Sequence, residues 1–307
     1  MKVLITGAAG MLGSNLVLEI NRQGKAEAVG LTRSDLDLRD KEAFASVLTR
    51  VKPGVVIHAA AKVGGIQANI RNPYEFLASN LSMDTNVIQA SLDAGIQNLI
   101  YIGSSCMYPR NFRQPLAEGD ILAAPLEPTN EGYAIAKIAG SKMCHFASES
   151  FGVSYRTIIP SNLYGPRDNF NPGSGHLLAS VIRKVHEAKK NQQTSIEVWG
   201  SGYARREFTY VSDLADWIAK SLFRAKELPS TLNLGIGVDH SIDEFYLFAM
   251  EALDYHVPLT HDASKPEGMG AKLMDSSTAN KNHAWNPETD ILTGIKQTYE
   301  WFINSQD

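Results

Sequence analysis

The 307-residue sequence predicts an α/β protein with a doubly wound parallel sheet and a smaller, mostly C-terminal α/β domain. Short apolar runs alternate with segments of helical period through the first half of the chain. These runs are apolar at successive positions, which is typical of strands that helices cover on both faces. After Pro166 the chain changes to a loop rich in turn residues at 168–175, where we expect the smaller domain to begin.

The elements follow from these patterns in chain order. Apolar runs predict strands at 3–5, 28–31, 55–57, 99–102 and 155–159. Helical periods predict helices from about Met11, over 80–94 and over 133–150. Short strands at 208–211 and 231–237 predict that the chain returns to the large domain. The expected division is a large domain over 1–165 with return segments near 208–237, and a smaller domain over 166–207 and 238–307.

Composition and charge argue against several classes of partner. The formal net charge is -4, so no basic surface favours nucleic acid or an anionic membrane. The sequence has no run of about 18 apolar residues and no leader-like segment before its first predicted strand, so we expect no membrane span and a cytoplasmic protein. Cys106 and Cys144 are too few for a disulfide framework and lack metal-ligand spacing, so no metal site is expected.

A glycine-rich turn follows the first predicted strand and opens the first helix. Gly7, Gly10 and Gly13, with Met11 and Leu12 between them, have the spacing G-x-x-G-x-x-G. Glycines at such positions let the backbone turn tightly and approach a pyrophosphate, whose negative charge the helix N-terminus favours. Such a turn can also serve the fold alone, but the strand and helix around it favour a Rossmann-type dinucleotide site.

The end of the second predicted strand indicates which dinucleotide is bound. NAD enzymes usually offer Asp or Glu to the ribose there, whereas this sequence has Thr32 and Arg33. A guanidinium suits a 2′-phosphate, which favours NADPH, although a plain surface arginine is the alternative. Asp37 and Leu38 follow as candidate contacts to the adenine edge.

Three residues form a candidate set for carbonyl reduction. Tyr133 and Lys137 lie four apart in a predicted helix, hence on one face, and Ser104 follows a predicted strand. The pKa of a free phenol is about 10, so a nearby ammonium that stabilises the phenolate would make Tyr133 a usable acid near neutrality. Alone, Y-x-x-x-K is common in amphipathic helices. Together with the glycine turn and the serine, it favours a reductase.

Cys106 and His176 suggest a second kind of chemistry. A thiolate and an imidazole on opposite sides of a keto sugar could remove and return protons beside the carbonyl, because the ketone stabilises the enolate. Each residue also has a plain interpretation, since a cysteine at a strand end often only packs and a loop histidine is often solvated. Cys144, in a predicted helix among apolar neighbours, is assigned to packing.

The sequence resembles the GDP-4-keto-6-deoxymannose epimerase/reductase (GDP-L-fucose synthase) family within the extended short-chain dehydrogenases/reductases. The similarity spans almost the whole chain. It is carried by the segments AAAKVGGI at 59–66, GSSCMYP at 103–109, LEPTNE at 126–131, YAIAK at 133–137, NLYGP at 162–166, VWGSG at 198–202 and REF at 206–208.

The resemblance implies a role for each of these segments. Ser104, Tyr133 and Lys137 would form the reductase triad, with Tyr133 giving the proton for carbon 4 and NADPH giving the hydride. Cys106 and His176 would be the base and the acid of epimerisation at carbons 3 and 5. Besides the glycine turn, NADPH would contact Arg33, Asp37, Leu38, Ala59, Ala60, Ala61, Tyr133, Lys137, Pro160, Asn162, Leu163 and His176. The GDP-sugar would contact Asn162, Lys184, Trp199 and Arg206.

Three positions depart from the usual pattern of this family. The first turn reads Gly7-Ala8-Ala9-Gly10 without an arginine, Gly132 stands where Pro or Ser is frequent, and Lys184 stands where arginine is frequent. Relatives that make colitose or reduce a keto-deoxyheptose share most of these segments, so the exact sugar stays open. A dinucleotide-binding protein without catalysis is the alternative from another class. The resemblance also implies a homodimer, paired through the predicted helices 80–94 and 133–150.

Overall fold

The computed structural model describes residues 1–172, 175–265 and 268–305, which fold around one large parallel sheet. The strands are β1 (Lys2–Thr6), β2 (Glu27–Leu31), β3 (Val55–His58), β4 (Asn98–Ile102), β5 (Ser154–Pro160), β6 (Asn162–Tyr164), β7 (Ile196–Trp199), β8 (Arg205–Arg206), β9 (Phe208–Tyr210), β10 (Thr231–Leu234), β11 (His240–Ser241), β12 (Leu259–Asp262) and β13 (Ala271–Lys272). The helices are α1 (Met11–Gln23), α2 (Lys41–Val51), α3 (Ile66–Arg71), α4 (Pro73–Asp93), α5 (Glu131–Phe151), α6 (Leu177–Lys190), α7 (Val211–Ser221), α8 (Ile242–Leu253), α9 (Ser277–Asn282) and α10 (Ile291–Asn304).

The large sheet has the order β2-β1-β3-β4-β5-β10, with six strands in the described ranges. Every neighbouring pair is parallel. Helices connect successive strands and cover both faces, so the predicted doubly wound α/β class is confirmed. In a sheet of this kind the carboxyl ends of the strands lie on one edge, where ligands usually bind.

Successive residues of the central strands face two different cores. Val3 and Ile5 pack with Leu16 of α1 on one side of the sheet, whereas Leu4 packs with Phe44 and Val87 on the other. Burying one such side chain stabilises the fold by about 1.5–3 kcal/mol. Burial on both faces is the reason the strands are apolar at successive positions.

A smaller lobe carries its own core. Helices α6, α8 and α10 pack with the parallel pair β7 and β12 around buried side chains such as Leu178, Ile182, Phe245 and Met250. Three short strands, β11, β8 and β13, form a further sheet beside this lobe. The predicted smaller domain also includes residues 173, 174, 266, 267, 306 and 307, which lie outside the described residues.

Most predicted elements agree with the structure to within two residues, and three differ more in their bounds or their pairing. The helix predicted over 80–94 begins at Pro73, a residue that favours the first turn of a helix. The strand predicted over 231–237 ends at Leu234, and Gly237 has a positive φ of 75°. The strand predicted over 208–211 ends at Tyr210 and pairs with β6 instead of joining the large sheet. After β9, helix α7 packs on α1, and β10 pairs with β5 in the large sheet.

None of the helices in the described ranges is both long enough and apolar enough to cross a membrane.

Candidate active site

A cleft of about 980 Å³ opens at the carboxyl ends of the large sheet and extends to the smaller lobe. Every site residue that the sequence predicts lines it. At the sheet these are Gly7, Gly10, Met11, Leu12, Gly13, Arg33, Asp37, Leu38, Ala59, Ala60, Ala61, Ser104, Cys106, Tyr133, Lys137, Pro160, Asn162 and Leu163. Towards the lobe they are His176, Lys184, Trp199 and Arg206.

The glycine turn is a close-packed cradle at one end of the cleft. Gly7 has a φ of 74°, and a Cβ at this position would lie 2.7 Å from the Ala60 Cα. A Cβ at Gly13 would overlap the carbonyl of Gly7. Helix α1 begins at Met11 with no side-chain cap and no acidic residue in its first turn. Its N-terminal N–H groups can therefore receive a phosphate.

A second arginine accompanies Arg33 at this end of the cleft. Arg33 is exposed and follows β2, as the sequence predicts. Arg39 also lines the cleft and pairs with the Asp37 carboxylate, with 2.5 Å between Nη2 and Oδ2. This pairing lowers the pKa of Asp37 to about 2. Arg39 was not identified from the sequence, although an arginine two residues after Asp37 could have indicated it.

The candidate reductase residues meet at the middle of the cleft. Ser104 follows β4, and its hydroxyl accepts a hydrogen bond from the backbone N–H of Cys106 at 3.2 Å. Tyr133 lies in the first turns of α5, and its phenol interacts with the Ser104 side chain. Burial raises the pKa of Tyr133 above its usual value, and the interaction with Ser104 opposes this rise. The phenol therefore stays protonated at neutral pH.

Lys137 has a different electrostatic partner from the one the sequence suggested. We expected its ammonium to lower the pKa of Tyr133, but burial dominates at that phenol. The Lys137 side chain is buried, and its Nζ lies 3.9 Å from Oδ1 of Asp84. Burial lowers the pKa of Lys137, while the Asp84 charge opposes that change. Asp84 was not identified from the sequence.

Cys106 faces two hydrogen-bond donors that sequence analysis did not find. The Asn130 side-chain amide donates to its Sγ at 3.2 Å, and Nζ of the buried Lys272 lies 3.9 Å from the same atom. An amide and an ammonium aimed at a sulfur can stabilise negative charge when the thiol gives up its proton. Lys272 lies in β13, far along the chain, so no local pattern could have linked it to Cys106.

His176 is held by a carboxylate. Its Nδ1 lies 2.8 Å from Oδ1 of Asp168, whose side chain is almost fully buried. The hydrogen bond with Asp168 raises the pKa of His176, and burial partly opposes the rise. Because Nδ1 donates to Asp168, Nε2 is left to exchange a proton in the cleft. The sequence placed Asp168 in the same loop but gave it no role.

The residues towards the smaller lobe combine cations with an aromatic face. Nζ of Lys184 lies 5.1 Å from the ring centroid of Trp199, and Nζ of Lys265 lies 5.4 Å from it. The Trp199 residue is 49% exposed, so part of the indole is open to the cleft. The side chain of Asn162 donates to the carbonyl of Glu207 at 3.1 Å, next to Arg206.

Within the described ranges, no three His, Cys, Asp or Glu side chains come together in a group that could hold a metal ion.

Comparison with known proteins places this geometry in a family. The sequence profile of the NAD dependent epimerase/dehydratase family matches residues 3–235. A GDP-L-fucose synthase of Azorhizobium caulinodans is 42% identical over 100% of this chain and 97% of that protein. A GDP-L-colitose synthase of Yersinia pseudotuberculosis is 40% identical over 100% of this chain and 99% of that protein.

A solved structure shares the fold over nearly its full length. It is a GDP-mannoheptose C4 reductase of Campylobacter jejuni with NADP bound, which is 31% identical. The similarity covers 98% of each chain with a TM-score of 0.89. The chain therefore belongs to the NAD dependent epimerase/dehydratase family and, within it, to the GDP-L-fucose synthase group of extended short-chain dehydrogenases/reductases.

Proposed function

We propose that the protein is an enzyme that converts GDP-4-keto-6-deoxy-D-mannose to GDP-L-fucose, by epimerisation at carbons 3 and 5 and NADPH-dependent reduction at carbon 4. The observation that carries the proposal is the presence of two kinds of proton-transfer group in one cleft. Ser104 and Tyr133 suit reduction, while Cys106 and the His176–Asp168 pair suit exchange of protons beside a carbonyl.

The residues at the glycine turn fit a dinucleotide phosphate. The backbone packs too tightly at Gly7 and Gly13 for a side chain, which fixes the turn, while the exposed Gly10 has no side chain to keep a phosphate from the start of α1. Arg33 and Arg39 offer positive charge where a 2′-phosphate would lie, which supports NADPH. Asp37, Leu38, residues 59–61, Pro160 and Leu163 would contact the rest of the molecule. Bound NADPH would supply the hydride for carbon 4.

Tyr133 would act as the proton donor in reduction. Its phenol is protonated at neutral pH, so it can give a proton to the oxygen on carbon 4 as that oxygen becomes an alkoxide. Ser104 would bind the same oxygen and hold it in line with the phenol. The positive charge of Lys137, on the same face of α5, would stabilise the phenolate that remains.

Cys106 and His176 would carry out the epimerisations. The Cys106 thiolate, with Asn130 and Lys272 at its sulfur, would take a proton from the carbon beside the ketone. His176, protonated and held through Nδ1 by Asp168, would return a proton from Nε2 on the opposite face. The 4-keto group makes both protons labile, so epimerisation would precede reduction.

The GDP part of the substrate would lie towards the smaller lobe. The indole of Trp199 offers a face on which guanine can stack, and Lys184 and Arg206 offer charge to the diphosphate. Asn162 would contact the sugar. We accordingly assign dinucleotide binding to residues 1–165 with the return segments near 208–237, and sugar-nucleotide binding to 166–207 and 238–307.

We further propose a cytoplasmic homodimer. Helices α4 and α5 pack side by side and present exposed apolar residues, including Leu81, Ile135 and Phe146, the last of which is 57% exposed. A second copy of the same pair would bury them in a four-helix interface. Light scattering should give twice the mass of the chain for the wild type and the mass of a single chain for Phe146→Glu. A reducing compartment keeps Cys106 as a free thiol.

One experiment tests both half-reactions. The protein is mixed with NADPH and GDP-4-keto-6-deoxy-D-mannose in deuterated water, NADPH absorbance is followed, and the product is examined by NMR. Oxidation of NADPH with deuterium at carbons 3 and 5 supports the proposal. Oxidation without deuterium means a plain reductase. No oxidation directs the search to GDP-linked colitose and heptose precursors, and NADPH binding without turnover of any of them would mean a non-catalytic protein.

A further inference from the structure

A buried polar cluster lies behind the catalytic face of α5. We call it the Asp84 cluster, and its members are Thr6, His58, Asp84, Tyr101 and Lys137. Each is at most 1% exposed. The residues come from three strands, β1, β3 and β4, and from two helices, α4 and α5. Polar groups buried this deeply are costly unless they are paired.

Asp84 is the centre of the cluster. Its Oδ1 accepts a hydrogen bond from His58 Nε2 at 2.9 Å, and its Oδ2 accepts one from the Tyr101 hydroxyl at 2.5 Å. Oδ1 also faces the Lys137 ammonium at 3.9 Å. The Thr6 hydroxyl bonds with the other ring nitrogen of His58 at 2.7 Å. Every member of the cluster therefore has a partner.

The charges of the cluster balance as one cation and one anion. Burial lowers the pKa of His58, so the imidazole is neutral and donates from Nε2. Burial acts to raise the pKa of Asp84, but the Lys137 charge and the His58 hydrogen bond outweigh it, and the pKa is lowered. Tyr101 is kept protonated, because burial raises its pKa. Cys144, also buried nearby, is protonated for the same reason. Asp84 is the only carboxylate that contacts Lys137 in the described ranges.

The cluster joins the catalytic helix to the two loops expected to hold the dinucleotide. Thr6 is the last residue of β1 and directly precedes the Gly7 turn. His58 is the last residue of β3 and directly precedes the alanines at 59–61. A shift of Asp84 would therefore reach the proton-donating site and the cofactor loops together.

We propose that Asp84 is a positioning residue, whose buried carboxylate keeps Lys137 charged and in place behind Tyr133. The proposal deepens the proposed function and rests on it for its effect on catalysis. Its physical basis is that a buried, unpaired ammonium loses its proton readily, whereas an adjacent carboxylate favours the charged form. With Asp84 neutralised, Lys137 would become an uncharged amine at neutral pH and could no longer stabilise a phenolate at Tyr133.

A titration of Lys137 tests the proposal without any sugar nucleotide. Protein with isotope-labelled lysine is followed by NMR as pH rises, and a Lys137→Met variant identifies the signal. We expect wild-type Lys137 to be charged at pH 7. In Asp84→Asn, the midpoint pH at which Lys137 loses its proton should fall by at least about one unit. In Asp84→Glu, which keeps a carboxylate, Lys137 should titrate close to the wild-type pH. The control is Asp93→Asn in the same helix, whose exposed carboxylate pairs with Lys41 and should leave Lys137 unchanged.

Two results would overturn the proposal. One is that Lys137 titrates with the same midpoint pH in wild type and in Asp84→Asn. The other is that Lys137 is neutral at pH 7 in the wild type. The second result needs no variant, so the proposal stays testable if Asp84→Asn does not fold.

The kinetic consequence separates this inference from the proposed function. With GDP-4-keto-6-deoxy-D-mannose and NADPH, Asp84→Asn should lower kcat and move its alkaline limb to lower pH, while KM for the sugar nucleotide stays the same. A merely structural role would change KM and kcat without moving the pH profile. If wild type turns over no substrate, the proposed function fails, and the titration still decides the role of Asp84.

Discussion

The two ends of the cleft are built in different ways. At the sheet end, the cradle at residues 7–13 is formed by the turn that follows β1 and by the start of α1. Towards the smaller lobe, groups that face one side chain come from separate segments. The Trp199 ring at the end of β7, for example, is faced by Lys184 of α6 and by Lys265 after β12. Local backbone geometry therefore determines the first end, and tertiary packing determines the second.

This difference predicts that single changes at the sheet end have the largest effects. In Gly13→Ala the new Cβ would overlap the Gly7 carbonyl, and backbone atoms cannot move aside cheaply. An overpacking cost of about 1–3 kcal/mol, where it falls on cofactor binding, corresponds to a loss of roughly 5- to 150-fold in NADPH affinity. Fluorescence titration with NADPH measures it. Gly119→Ala is the control, because a Cβ there meets nothing within 4 Å. Equal NADPH affinity in Gly13→Ala and wild type would contradict the cradle.

A change at the other end should have a moderate and selective effect. Trp199→Ala removes the exposed indole face but leaves the glycine turn intact. Since an aromatic pair contributes about 0.5–1.5 kcal/mol, KM for the GDP-sugar should rise roughly 2- to 10-fold with little change in NADPH affinity. Steady-state kinetics measures both. Phe223→Ala, another exposed aromatic outside the cleft, should change neither, and an unchanged KM in Trp199→Ala would place guanine elsewhere.

The smallest effect is expected on thermal stability, at the His176–Asp168 pair. The pKa of His176 is raised in the folded protein, so the pair stabilises the fold fully below the unfolded pKa of about 6.5. This contribution is lost as pH rises through the folded pKa. His176 is 37% exposed at its side chain, so we expect only a small difference in Tm. Asp168→Asn should therefore lower Tm more at about pH 6 than at about pH 9.

A matched variant makes that comparison of Tm values specific. Asp254→Asn changes an exposed carboxylate at the end of α8, and its Tm difference from wild type should not follow the same trend with pH. A Tm difference for Asp168→Asn that is the same at both pH values would mean that Asp168 does not favour the protonated imidazole.

Much of the fold was predictable because burial on both faces leaves a direct mark in the sequence. The runs that contain Val3, Val56 and Ile100 are apolar throughout, and each became a central strand. The bounds of α4 and β10 were missed because Pro73 and Gly237 act through local backbone geometry, which periodicity does not describe. The pairing of β9 with β6, outside the large sheet, depends on tertiary packing, which no local pattern describes.

The candidate site was predictable only in part. The glycine turn and the Tyr133–Lys137 pair have regular spacings, and resemblance to a family supplied the other positions. Asp84, Asn130 and Lys272 were missed because each acts on a residue to which no spacing connects it. Asp84, for example, lies mid-helix and would pass for a surface residue until the packing of α4 against α5 is known. The roles assigned to the site residues stay predictions.

The most direct test of the account is whether its two chemistries can be separated within one cleft. Tyr133→Phe removes the proton donor for reduction but leaves Cys106 and His176 in place. In deuterated water with GDP-4-keto-6-deoxy-D-mannose and NADP, NMR should show deuterium entering carbons 3 and 5. In a second assay with NADPH in place of NADP, the rate of NADPH oxidation should fall by about 100- to 10,000-fold. Cys106→Ser should lose the exchange. Loss of deuterium exchange in Tyr133→Phe, with the fold and NADPH affinity intact, would contradict the account.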